Sequence, residues 1–557
     1  MERSKRKRTK GMLALALAAA MLAACSNGNG AGNASGGSGE NGAGGDGGAK
    51  SDAAAPAGLN ESGFPIVGEK ITVSGFAGKF MANVDWSTLK LWTDYEARTN
   101  IHVEWETVQK DVLKEKRNLL LAGGNYPELF FASAFPKTDV AKYGDQGVFL
   151  PLNDLIDRYA PNFKALMEKY PVIKQGITMP DGNIYSLPTV YDPEFRSVFF
   201  NTPWIKKEWL DKLGVAEPAN LEQFKEMLKA IKTGDPNGNG KPDEIAWGGV
   251  GTLGLVNYLK GAYGLNNHGT ANPYVDEDPE AAGKIRFVPS SERYKELLEF
   301  VHGLYKDGLL EKDIASVKAE EIDAKGAEGL LGVVDNVDPV AIYNQQGYVG
   351  LPVLEGPHGE RMYTYLGAPL GNIGMFALTD KAEHPEAMIR WMDYFYGDEG
   401  IRNFFMGWKD ETYVENADGS VDYTEDIKNN KDGLSLDQAV SQYLIWPGGY
   451  YPGFVTHKYF KGAEGLPTSV ENSKKADPYT LQADQVWPGF NFAQEEQEEM
   501  GTLGTDIQTY VDEMRDKFIL NGTGEWDAYV STLESMGLKR YIEIYQSALD
   551  RTIGSNG

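Results

Sequence analysis

Cysteine is nearly absent from this chain: a single one, Cys25, in 557 residues. One thiol excludes any disulfide within the molecule, so the fold must rest on packing and hydrogen bonding. Histidine is also scarce, with six copies scattered along the sequence. No Gly-x-Ser-x-Gly, His-Glu-x-x-His, phosphate-loop or cysteine–histidine arrangement occurs. Positive charge is under-represented: 54 Lys and Arg face 80 Asp and Glu, a formal net charge of −26. No broad basic face is available to meet phosphates, which argues against a nucleic-acid partner. After the first 25 residues no apolar run approaches the ~18 residues that a membrane span requires. What remains is a long, acidic, aromatic-rich chain, with 11 Trp, 29 Tyr and 23 Phe, enough to fill more than one core.

The N-terminus is the most specific local signal. Arg3, Lys5, Arg6, Lys7, Arg8 and Lys10 precede the apolar run "GMLALALAAAMLAAC". That layout reads as a secretory signal peptide. It ends in Leu22-Ala23-Ala24-Cys25, which resembles a bacterial lipobox. The expectation is a signal peptide over 1–24, with Cys25 carrying a diacylglycerol and an acylated (palmitate-type) N-terminus, the two-chain anchoring that holds a protein on a membrane. Residues 25–58 are rich in Gly, Ser, Ala and Asn without apolar periodicity, and read as a tether.

From Phe64 onward the pattern is that of a folded body. "KITVSGF" reads as a strand, "DWSTLKLWTDYEARTN" has helical spacing, and "IHVEWETV" alternates as a strand. A helix through "LKEKRNLLLAGG" and the nearly all-apolar "PELFFAS" follow. This order predicts an α/β lobe with a parallel sheet. Trp86, Trp92, Trp209 and Trp391 lie on apolar helix faces and are assigned to core. The C-terminal segments from "EEQEEMGTLG" to "YQSALDR" read as helices.

The loop "GDPNGNGKPDEIAWGG" concentrates oxygen-bearing side chains. Counting from Asp235, they fall at positions 1, 3, 5, 9 and 10: Asp235, Asn237, Asn239, Asp243 and Glu244. Position 7, Lys241, offers its backbone carbonyl. This spacing suits a hard cation such as Ca²⁺, and it follows the EF-hand pattern through Gly240 at position 6. It then departs: position 12 is Ala246, so Glu244 must stand in for the usual glutamate, and no helix is expected to follow. The alternative is a solvated Asx/Gly turn. Catalysis by such an ion is not expected, because the protein itself would use its coordination positions.

The lipobox, the tether and "ITVSGF" are followed by "ARTNIHVEW", "AGGNYPELFF", "GVFLPLNDLI", "DGNIYSLP", "FNTPWIKKEWLDKLGV" and "DPNGNGKPDEI". With the helical tail, these stretches make residues 60–550 resemble the family 1 extracellular solute-binding lipoproteins of bacterial ABC importers. The LplA-like carbohydrate-binding branch is the nearest match, and the calcium-containing alginate-oligosaccharide binding proteins are similar. The resemblance implies an α/β, two-lobed periplasmic-binding-protein-like fold of class II type, with an interlobe ligand cleft and extra C-terminal helices. The expected divisions are 59–190 for the first part of lobe 1, 191–365 for the first part of lobe 2 with the calcium loop 235–244, 366–410 for the return to lobe 1, and 411–557 for the C-terminal part of lobe 2. It also implies a structural Ca²⁺ held by Asp235, Asn237, Asn239, Lys241, Asp243 and Glu244, away from the sugar. The expected partners are a carbohydrate and the permease subunits of an ABC transporter. The expected state is a monomer, lipid-anchored on the extracellular face of a Gram-positive envelope.

A sugar site needs aromatic platforms beside polar hydrogen-bonding groups. The candidates are Phe135, Trp408, Trp446, Tyr450 and Trp487, which lie in loops after strands or between Pro and Gly, with Tyr451 beside them. Asp335 and Asn336 close a strand-like run where the family places cleft residues. Arg196 could meet a uronate carboxylate bidentately, or form an ordinary salt bridge. Two other classes stay open. A surface glycoside hydrolase or lyase needs two carboxylates across the scissile bond, and 80 acidic residues allow that. A sensor or adhesion lipoprotein would bind without import, and a peptide or other ligand is the alternative to sugar.

Overall fold

The computed structural model describes residues 58–554, apart from 81, 336–337, 344, 435 and 446–450. The signal peptide, Cys25 and the tether lie outside the described residues, and the described chain belongs to one compact unit.

The first lobe grows from the expected alternation of strand and helix. Strands β1 (Ile71–Lys79), β2 (Ile101–Gln109) and β3 (Leu129–Phe135) are joined by helices α1 (Lys90–Thr99) and α2 (Leu113–Gly123). β1 pairs in parallel with β2 from Ile71↔Ile101 to Lys79↔Gln109, and with β3 from Gly75↔Leu129. The returning strand Gly374–Leu378 adds to β3 antiparallel, completing the order 374–378, β3, β1, β2. β3 is buried on both faces, as its run of apolar residues requires. One face carries an aromatic core in which Trp92 stacks on Trp391, with centroids 5.4 Å apart, and both pack against Phe131. Trp86, Trp209 and Trp391 are each 1% exposed, so their assignment to core agrees with the structure.

The end of β3 is irregular. Ala132 and Ala134 have φ of 50° and 47°, a left-handed conformation unusual for residues with a side chain. The pairing with 374–378 shifts register at the same place. Such bulges redirect the chain beyond them. Buried Arg117 donates to the carbonyls of Ser133 and Ala134, which satisfies the acceptors that the irregularity turns away from the ladder. The chain then enters helix α3 (Lys137–Asp145).

The second lobe is built on another sheet. Strand β5 (Trp204–Lys206) lies between the strands 348–350 and 331–334, and β6 (Ile245–Gly248) forms the other edge, parallel to 331–334. Helix 221–233 buries Leu221, Phe224, Leu228 and Ile231, the spacing of one helical face, and Asn220 caps it by accepting from the backbone of Gln223. Helices 494–521, 526–536 and 538–554 join this core through residues such as Ile507, Phe518, Tyr529 and Tyr541.

Three segments connect the lobes. Strand β4 (Thr189–Tyr191) pairs in parallel with 453–455, and Val190 bridges to Leu370, so all three crossings lie side by side. The division at 411 needs correction. Tyr413, Val421, Tyr423, Ile427, Leu444, Tyr451, Val455 and Tyr459 belong to the first core. Tyr423 donates to the carbonyl of Phe405 at 2.6 Å and Tyr451 to that of Phe395 at 2.7 Å. These bonds hold the segment to helix 398–405 and the turn before it. The C-terminal part of the second lobe begins only at helix 467–476, whose Ala476 enters the second core.

Candidate ligand-binding cleft

A chamber of about 510 Å³ opens between the lobes, lined by two of the three crossing segments through Tyr191 and through Leu370 and Gly371. Tyr191, Phe199 and Gly371 form its hinge side. Phe135 and Lys137, just beyond the C-terminal end of β3, form the first-lobe wall. Thr270, Ala271 and Gly489 face them from the second lobe. Gly371 is required by close approach: a Cβ there would lie 2.7 Å from the ring of Tyr191. Half-buried Tyr191 and Phe199 meet edge to face at 6.2 Å and present aromatic surface to the chamber. Lys137 donates from Nζ to the carbonyl of Gly489 at 2.8 Å, a bond from one lobe to the other. Burial pushes its ammonium down to about 7.

The candidate residues fare unequally. Phe135 reaches the chamber but is 2% exposed and packs as core against Phe130 and Phe149, both at 5.1 Å. Arg196 is spent on the crossing itself: it donates to Asp477 at 2.6 Å, Thr480 at 2.7 Å and the carbonyl of Leu481 at 2.9 Å. The salt-bridge alternative is therefore the one observed. Trp408 lies under Lys90, whose Nζ sits 4.2 Å from its ring, and packs on the first core without lining the chamber. Trp487 stacks on His268 at 4.0 Å and 3°, and borders a neighbouring cavity of about 570 Å³. Tyr451 is core. Asn336, Trp446 and Tyr450 lie outside the described residues. Asp335 follows strand 331–334, with its carboxylate against Gly249 and Gly254 beyond the C-terminal end of β6. Burial pushes it up to about 7.

The loop at 235 is folded tightly around its own side chains. Asp235 accepts from the backbone of Asn239 at 3.1 Å and Gly240 at 3.0 Å. Asp243 accepts from the amides of Asn237 and Asn239, and these bonds hold its carboxyl below the ordinary value. Asn239 accepts from the backbone of Lys241 at 2.8 Å. Lys232 and Lys212 donate to the carbonyls of Glu244 and Pro236, not to carboxylates. Glu244 is 1% exposed and its Oε1 has no hydrogen-bond partner among the described residues. Among those residues no group of three His, Cys, Asp or Glu side chains gathers as a metal site. The donor set still fits a hard cation, because no ion pair engages its carboxylates among the described residues and one buried oxygen is unsatisfied.

A cleft on a triple crossing between two α/β lobes narrows the families this chain can join. Residues 84–401, more than half of it, match the family described as bacterial extracellular solute-binding protein. The chain is a bacterial extracellular solute-binding protein. It is 27% identical over 474 residues to the fructooligosaccharide ABC transporter substrate-binding protein FusA of Streptococcus pneumoniae, which covers 82% of this chain and 86% of the relative. The structure of FusA in complex with kestose matches with a TM-score of 0.68 and 25% identity, over 87% of this chain and all of that one. FusA has also been solved as an EF-hand mutant. The polygalacturonan/rhamnogalacturonan-binding protein YtcQ of Bacillus subtilis is 22% identical over 481 residues, 82% of this chain and 87% of the relative. A human-milk-oligosaccharide (HMO) binding protein of Bifidobacterium longum infantis has the same fold, with a TM-score of 0.70 at 22% identity over 87% of this chain and 99% of that one.

These relatives are named as binding proteins, not as hydrolases or lyases. In this solute-binding protein, sequence reasoning missed Lys137, Tyr191, Phe199 and Thr270. One signal for Lys137 was present: it follows the apolar strand directly in "LFFASAFPK". Tyr191 and Phe199 carried no such mark, because a crossing segment has no periodicity of its own. Among the described residues no helix is long and apolar enough to cross a membrane.

Proposed function

We propose that this solute-binding protein captures an oligosaccharide in the interlobe chamber and delivers it to the permease of an ABC importer. One observation carries the reading. The chamber lies at the C-terminal end of β3 against two of three crossings that run side by side, so its two walls belong to lobes that can close by bending those crossings. Its chemistry suits a sugar: Tyr191 and Phe199 offer aromatic faces to C–H surfaces, while Lys137, Thr270 and Asn372 offer polar contacts. Asp335 does not line the chamber and is assigned no contact with the sugar. The names of FusA and YtcQ support a glycan ligand.

Cys25 is assigned as the lipid attachment point on the extracellular face, from the lipobox alone. Asp235, Asn237, Asn239, Asp243, Glu244 and the carbonyl of Lys241 are assigned to a structural Ca²⁺. The orphaned oxygen of Glu244 supports this, as does the EF-hand of FusA.

The test is calorimetric titration with neutral and uronic oligosaccharides, followed by chromatography of the sugar recovered. Saturable binding with the sugar recovered intact is expected. Turnover of a bound sugar would overturn the transport reading, and silence from every glycan would overturn the sugar reading.

A further inference from the structure

The cleft does not end at the chamber. A second cavity, of about 850 Å³, runs between α3 and the first turns of helix 494–521. The two cavities adjoin on both walls. On the first lobe the chamber ends at Lys137 and the outer groove begins at Thr138. On the second, the chamber ends at Gly489 and the groove begins at Phe492. Between them stand the Lys137–Gly489 hydrogen bond of 2.8 Å and buried Asn491, whose amide donates to the carbonyls of Gln175 at 3.1 Å and Thr178 at 2.7 Å, so the partition is two side chains reaching across to backbone carbonyls. Lys137 spends one N–H on Gly489, which leaves at least one more for a ligand passing beside it, whether the group is amine or ammonium.

We propose that the outer groove is a second set of sugar subsites, and that the protein selects neutral oligosaccharides long enough to run from the chamber past Lys137 into it. This rests on the chamber being the sugar site. The groove is larger than the chamber, and the two together exceed the ~1,000 Å³ upper range of ordinary small-ligand pockets. Its walls mix apolar Met179 and Phe492 with the amides of Gln146, Gln494 and Gln497, the combination that C–H faces and hydroxyls call for. Its charge is negative: Asp139, Asp145, Asp181 and Glu498 oppose Lys142. Asp139 is drawn towards Arg117 at 3.5 Å, and Asp181 accepts from Tyr185 and Asn183, so these two also hold wall structure in place. A uronate unit entering here meets like charge, whereas a neutral unit meets hydroxyl acceptors.

The experiment is titration calorimetry on the mature chain with ladders of neutral β-fructan, β-galactan and β-xylan and of polygalacturonate. At least one neutral ladder is expected to gain about tenfold or more in affinity between trisaccharide and pentasaccharide. Ala493→Trp, which fills the groove from the helix N-terminus, is expected to abolish that gain and leave the trisaccharide within about twofold of wild type. Gln497→Trp carries the same expectation should the first variant fail to fold. Affinity that does not rise with length, or variants that weaken trisaccharide and pentasaccharide equally, would overturn the groove while leaving the chamber as the sugar site. A length gain with polygalacturonate equal to the neutral one would overturn the charge selection. Absence of binding to every ladder would overturn the sugar reading itself, and the groove with it.

Discussion

Replacing Asp335 with asparagine should stabilise this protein at alkaline pH. The carboxylate is packed so closely that a Cβ on Gly254 would lie 1.8 Å from Oδ2. No ion pair with it occurs among the described residues, and burial raises it from 3.8 to about 7. Between those two values the native state keeps a proton that the unfolded chain has released. Stability therefore falls as pH rises from 3.8 to about 7, and the whole penalty is present above that. At full ionisation the displacement corresponds to about 4 kcal/mol. The first turn of helix 253–260, against which the group packs, offsets up to ~2 kcal/mol through its dipole. Asp335→Asn, of equal size and uncharged, is thus expected to gain about 2–4 kcal/mol at pH 8 and about 1–2 kcal/mol at pH 5. For a chain of this length that is roughly 2–4 °C in Tm at pH 8 and about 1–2 °C at pH 5. Thermal scans at the two pH values measure it, and titration with a bound sugar at pH 8 should show affinity within about twofold of wild type, since the group does not line the chamber. A variant no more stable than wild type at pH 8, or one whose gain is the same at both pH values, would refute the reasoning.

Two further expectations concern the loop and the crossings. Chelation with EGTA should lower Tm by the equivalent of about 3 kcal/mol, as for an ion present at ~100-fold its Kd, and Glu244→Gln should remove most of that response. Lost sugar binding at unchanged Tm would overturn the structural assignment of the ion. Arg196→Met should cost about 1–3 kcal/mol in urea denaturation, because Asp477, Thr480 and Leu481 each lose a donor at a partly exposed site. Neutral and uronic ligands should be affected alike; selective loss of uronate binding with unchanged stability would return Arg196 to the ligand site.

Local order alone made much of this molecule legible. The alternation from "KITVSGF" to "PELFFAS" specified three parallel strands with intervening helices, because period-2 and period-3.6 apolar patterns commit a segment without reference to distant residues. Helical faces likewise marked Trp86, Trp92, Trp209 and Trp391 as core. The site was far less legible. Trp408, Tyr451 and Trp487 sit in loops with the same Gly and Pro neighbours that a sugar platform has, yet each packs against protein. Whether a loop aromatic is buried depends on what arrives opposite it, and that partner lies tens to hundreds of residues away.

By itself the sequence made legible an excess of acidic residues, an α/β body, and a loop whose oxygen-bearing side chains are spaced within ten residues. Each of those properties is local, set by composition, periodicity or short spacing. The tertiary structure alone decided which core claims residues 413–459 and that Arg196 braces a crossing. It also brought Lys137 across the cleft to Gly489, 352 residues later, at the edge of the chamber. Those are pairings across lobes, and no local pattern encodes the partner of a side chain that the fold must first carry to it.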